Sequence, residues 1–267
     1  MMVLNEIHWE GNMVMRKERD LEMKGYKEPQ LRSYDEVEEG MQTYIEEVFL
    51  TQPFFLTLLS GQWDKRVLTY FSQQYAHYSA NFPRVLGAAI AVMEPEDRWW
   101  IPLADNLWDE AGRGRPGHSH ASLYLNFLHS VDPSSSQWHP HPNHWPKMGP
   151  SVEVAIKSFI EFLIGSSPLE AMAAIALGSE FFAGQVMGII AKGLRHPRYQ
   201  EGGAINTTFW DVHAAHDEPR HYALCRAILC EKSREENYGR LLDIGKEIAA
   251  SESMMYAGIY QEAQELS

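Results

Sequence analysis

From Pro168 to Lys192 the chain reads PLEAMAAIALGSEFFAGQVMGIIAK, in which Glu170 and Glu180 are the only charges before Lys192. A helical stretch with so few charges has no face to offer to water, so it is expected at the centre of a bundle with other helices packed around it. This is the strongest constraint on the fold. It also raises a question, because Glu180 stands among Gly178, Ser179, Phe181 and Phe182. A carboxylate buried in such a setting is costly unless something pairs with it.

The rest of the chain supplies the surrounding helices. SYDEVEEGMQTYIEEVFLTQ, from Ser33, repeats apolar residues at three- and four-residue spacing. Asp64 is placed to cap a long helix through Met93, bent near Pro83. Further helices are expected from about Glu94 to Gly112, over SHASLYLNFLHSV, from Ser151 to about Ser166 and from Pro168 to about Arg195. Another reaches about Cys230, and a last amphipathic one runs from Arg234 to about Glu265. SSSQWHPHPNHWPKMGP, with His139, His141 and His144, reads as a lid or crossover loop, and HPRYQEGGAIN as a connector. Strand patterns, internal repeats and domain linkers are not evident. The expected fold is all-α, a single domain of seven to eight helices over residues 33–267, preceded by an N-terminal arm over 1–32.

Charge and cysteine content narrow the function classes. Lys plus Arg total 23 and Asp plus Glu 36, a net charge of −13. That balance argues against nucleic acid or an anionic membrane as partner. No signal or membrane-spanning segment is expected, and the two cysteines, Cys225 and Cys230, read as reduced, buried thiols of a cytoplasmic protein.

The chemistry is concentrated in FWDVHAAHDEPRHYAL, residues 209–224. At about 100° per residue, His213, Asp217 and His221 share one helical face, with Asp217 about 40° and His221 about 80° from His213. His, carboxylate and His on one face suit a metal ion, the other reading being a solvated polar face. Apolar and aromatic neighbours, Phe209, Trp210, Val212 and Tyr222 among them, favour the buried site. Glu110, His118, His120 and Glu180 are further donors on other helices, and a metal would give the isolated Glu180 its partner.

Together these residues resemble the haem-oxygenase-like di-iron oxidases and oxygenases, fold relatives of thiaminase-II-like and pyrroloquinoline-quinone-synthase-like proteins. That family's pattern is a Glu, a His opening an aromatic-rich helix, a second Glu in mid-helix, then His-x3-Asp-x2-His. Glu110, His120, Glu180, His213 and Asp217 match in turn, and FSQQYAHYSANFPRVLGAAI resembles the second long helix of the family. The resemblance spans roughly residues 35–230. It departs at the last histidine, where Arg220 stands and His221 follows one residue later. Arginine stays protonated and cannot ligate a metal. Pro219 disrupts helical bonding, so a one-residue bulge would bring His221 into place. The same bulge leaves Glu218 as an alternative ligand to Asp217.

The resemblance implies two non-haem Fe(II) ions with O2 as co-substrate, used for desaturation, N-oxygenation or oxidative C–C cleavage of a small molecule. Expected substrates are amino acids, amines or other carboxylate-bearing metabolites of a biosynthetic pathway. A homodimer and an external electron donor complete the expected partners. For the substrate wall, Gln74, His77, Tyr78, Asn81 and Arg84 lie within about 120° of arc, with no Lys or Glu among them; the other reading is a polar seam between helices. On the pocket reading Arg84 would pair a substrate carboxylate. Two further functions stay open: a metal-free thiaminase-like hydrolase using Cys225, and a non-enzymatic iron-binding or interaction protein.

Overall fold

The computed structural model describes residues 31–137 and 145–266. The arm expected over residues 1–32 lies almost wholly outside them, as do His139, His141 and His144. Side chains of residues 216–219 are also outside the description, and with them the choice between Asp217 and Glu218.

Every regular element among the described residues is helical. α1 spans Tyr34–Tyr44 and continues through a π turn, Ile45–Phe49. The short α2, Pro53–Leu59, joins the helices expected from spacing. α3 is Lys65–Val92, α4 Asp97–Glu110, α5 His120–Val131 and α6 Pro150–Ile164. A continuous rod follows: α7, Pro168–Ile175, a π turn at Ala176–Glu180, and α8, Phe181–Leu194. A second interrupted rod joins α9, Thr208–Val212, through a π turn at His213–Asp217 to α10, Glu218–Lys232. The last and longest helix is α11, Glu235–Glu265.

Local chemistry explains the boundaries. Asp64 caps α3 as expected, its Oδ1 accepting from the Val67 N–H at 2.9 Å. Ser119 caps α5 by accepting from Ser122 N–H at 3.2 Å. Ser167 and Glu170 form a reciprocal capping box at the start of α7. Pro83 lies within α3 without ending it.

The charge-poor α7–α8 rod lies at the centre, against α2, α3, α10 and α11. Residues 171–180 are all buried. The stretch 168–194 is long and apolar enough to cross a membrane, yet 72% of its most apolar window is buried inside the bundle. A fused aromatic core backs it: the rings of Phe49, Phe54, Phe55, Phe71, Tyr75 and Tyr256 meet at centroid distances of 4.9–5.9 Å. Burial divides the cysteines, against the expectation of two buried thiols. Cys225 is buried and Cys230 exposed, because five residues of α10 turn them to different sides; both are free.

Candidate metal centre

Glu110 closes α4 and His120 opens α5. The link between them is short and tight. Gly112 has φ +68°, and a Cβ there would fall 2.4 Å from the His118 carbonyl carbon. Only glycine allows that approach. Arg113 follows in the left-handed region at φ 52°. The reversal brings His120 Nδ1 to 2.9 Å from Glu110 Oε1.

His213 reaches the same place from the second interrupted rod. Its ring lies 4.3 Å, centroid to centroid, from that of His120. Its Nδ1 is 2.7 Å from the Phe209 carbonyl oxygen, so Nδ1–H donates and Nε2 is left as the ligating nitrogen. One ligand atom from each of Glu110, His120 and His213 lies within 4.8 Å of the other two.

Glu180 and His221 meet beside Asp109. Asn106 Nδ2 donates to Glu180 Oε1 at 2.7 Å, and His221 Nδ1 stands 3.6 Å from Glu180 Oε2. The other His221 nitrogen, Nε2, is 3.0 Å from Asp109 Oδ2. His221 is buried, which by itself lowers its pKa, but Glu180 and Asp109 hold it above the usual imidazole value. Asp109 is raised by burial and lowered more by Arg113 and His221, for a net shift below the usual carboxylate value. Sequence reading missed Asp109 and Asn106, which follow from neither spacing nor residue type until α4 is placed against α8 and α10.

A π turn spans His213–Asp217, in the stretch where a one-residue bulge was expected. Its position is just before Pro219, whose ring disfavours the regular turn preceding it. Arg220, at the place of the expected histidine, points away to Asp105 and Asp109, with Nη1 2.7 Å from Asp109 Oδ2. Glu180 likewise ends a π turn. Gly178 in that turn lets α11 approach closely: a Cβ there would lie 2.5 Å from Ile248 Cβ.

A cavity of ≈ 40 Å³ opens on this cluster, with Glu110 and His213 on its wall. α3 contributes Tyr75, Tyr78, Ser79 and Phe82. Among the five expected substrate-wall residues, Tyr78 is the one on the cavity. The other four are absent from its lining and make their hydrogen bonds elsewhere. Gln74 Nε2 donates to Lys147 O at 3.1 Å and Gln74 Oε1 accepts from Gly149 N–H at 2.6 Å. His77 Nε2 lies 2.8 Å from Pro146 O, and its ring contacts Trp145. Arg84 is exposed and donates to Asn81 Oδ1 at 2.6 Å, while Asn81 Nδ2 donates to His77 O. Gln74 and His77 fasten the segment before α6, Asn81 and Arg84 bond within α3, and the stripe 75, 78, 79, 82, about 100° round the helix, faces the site. Glu252 of α11, absent from the sequence reading, also lines the cavity. It is buried, and burial followed by the nearby Glu180 charge pushes its pKa up to about 8. It was hidden because its helix reads as ordinary amphipathic surface.

A family model described as iron-containing redox enzyme matches residues 69–251. The chain belongs to this family. The match contains Glu110, His120, Glu180, His213 and His221, and stops one residue short of Glu252. Among solved structures, a haem-oxygenase-like domain of unknown function from Shewanella denitrificans aligns with a TM-score of 0.66 at 13% identity, covering 88% of this chain and 94% of that one. A CADD-like protein of unknown function from Nostoc punctiforme gives 0.69 at 13%, covering 86% and 98%. A TenA homologue from Pseudomonas syringae gives 0.64 at 12%, covering 89% and 98%. At such identities the likeness establishes the fold alone. No curated protein matches the sequence. For an iron-containing redox enzyme the donor set is suitable: buried imidazoles and carboxylates, with no thiolate among them, fit non-haem iron better than a closed structural zinc site.

Proposed function

We propose that this iron-containing redox enzyme is a non-haem di-iron, O2-dependent oxidase or oxygenase acting on a small molecule. The observation that carries the reading is the cluster of half-buried Glu110 with buried His120 and His213, their ligand atoms within 4.8 Å of one another beside a cavity. One iron would be held by these three residues. Glu180 and His221 would hold the second, with the carboxylate of Asp217 or Glu218 from the same rod. Bound ferrous iron supplies the electrons that activate O2.

The protein's own groups have separate tasks. Phe209 O fixes the His213 tautomer by accepting from Nδ1–H. Asp109 accepts from His221 Nε2–H and so turns Nδ1 toward Glu180. Asn106 orients the Glu180 carboxylate. Tyr75, Tyr78, Phe82 and Phe209 form an aromatic wall that excludes water from the reacting end of the substrate.

A thiaminase-like hydrolase is the competing reading of the fold, in keeping with the TenA homologue. Its candidate nucleophile here, Cys225, is fully enclosed, and burial raises its pKa far above the ordinary thiol value. A thiol kept protonated and out of reach is a poor nucleophile. Anaerobic titration with Fe²⁺ and Mössbauer spectroscopy test the proposal. Two equivalents of bound iron are expected, followed by O2 consumption on aeration. Iron binding no greater than in a Glu110→Ala, Glu180→Ala double variant would refute it.

A further inference from the structure

The cavity wall is acidic and aromatic. It carries two carboxylates, Glu110 and Glu252, and among the described residues no lysine or arginine. Glu110 belongs to the proposed metal cluster. Glu252 enters from α11 and is 8% exposed. Tyr256 hydrogen-bonds to it, and no ion pair joins it to a described Lys, Arg or His. A buried carboxylate of this kind is stabilised by a cation brought to it, and the structure offers a place for one beside Tyr75, Tyr78 and Phe82. Aromatic faces add attraction for an ammonium group. A carboxylate substrate would find no lysine or arginine to pair with among the described residues of this wall. Arg84, the residue expected to receive such a carboxylate, is on the surface and paired with Asn81.

We propose that Glu252 is the recognition residue for a protonated amine, and that the substrate is a small amine whose ammonium group sits between Glu252 and the tyrosine wall. The inference deepens the proposed function, resting on the same cavity being the substrate site. It requires no redox step of its own. An ammonium ion lying against Glu252 ionises the carboxyl, and the pair is shielded from water by Tyr78 and Met187 on the cavity wall.

The test is ligand binding to the full chain, with and without Fe²⁺, using n-butylamine, n-butanol and butyrate as matched probes in calorimetric titrations. Wild-type protein is expected to bind the amine at least tenfold more tightly than either other probe. Glu252→Gln should abolish that preference and leave the stoichiometry of Fe²⁺ unchanged. Glu252→Asp, which keeps the charge, should retain the preference and serves as the control for folding. Equal binding of the three probes, failure of the amine to bind, or persistence of its preference in Glu252→Gln would overturn the assignment. Loss of iron from Glu252→Gln would overturn it too, making Glu252 a metal ligand. Amine preference in a chain that binds no iron would leave this inference standing and remove the di-iron reading.

Discussion

Exchanging Glu252 for glutamine should change how stability depends on pH. The folded protein raises this carboxyl from its ordinary 4.5 to about 8, chiefly because burial disfavours the anion. In the unfolded chain the group ionises near the ordinary value. Below that pH both states are protonated and the residue adds no pH dependence. As pH rises from about 4.5 toward 8, the unfolded state loses its proton while the folded state keeps it, so stability falls; above about 8 the loss levels off. Each pH unit in that window is worth ~1.4 kcal/mol, which makes the full loss on the order of 5 kcal/mol. Glutamine has no proton to lose. In urea denaturation of the metal-free protein, Glu252→Gln and wild type should be of similar stability near pH 4.5. The variant should become more stable by an amount that grows through neutrality, on the order of 5 kcal/mol above about pH 8. Parallel stability profiles for the two proteins would refute the reasoning, since the difference between them isolates this one group.

Gly178→Ala should destabilise the fold by about 1–3 kcal/mol in the same assay, because its Cβ would lie 2.5 Å from Ile248 Cβ where α11 crosses the π turn; unchanged stability would mean that the helices separate easily. His221→Ala should lose the second iron equivalent in an anaerobic titration. Arg220→Ala should keep both, and the reverse result would put the register in error. Asp109→Ala removes the acceptor of the His221 N–H and should weaken the second iron by roughly ten- to a hundredfold, measured by competition with a chelator. Asp217→Ala should release iron from that site while Glu218→Ala mostly retains it; equal losses in the two variants would show that both carboxylates serve.

The sequence by itself determined the helical class and the central place of residues 168–194. A near absence of charge leaves a helix nowhere to go but the interior, and periodicity reports which faces are buried. It also pointed to Glu110, His120, Glu180, His213 and His221, because carboxylates and imidazoles in apolar surroundings need a reason to be there. The irregularity of this helix was readable too, since Pro219 opposes a regular turn and a π turn stands at His213–Asp217. What only the tertiary structure decided was direction. The stripe of Gln74, His77, Asn81 and Arg84 looked like a pocket wall because it was polar without Lys or Glu. In the fold Gln74 and His77 bind the segment before α6, Asn81 and Arg84 bond within their own helix, and the aromatic stripe about 100° away lines the cavity. Hydrogen-bonding capacity is satisfied equally well by a neighbouring backbone and by a substrate, and residue type cannot distinguish them. Asp109 and Glu252 were hidden for a related reason. Each sits on an amphipathic helix with many other acids, and its separate character arises from burial and from partners distant in the chain, Arg220 and His221 for one and the cavity for the other.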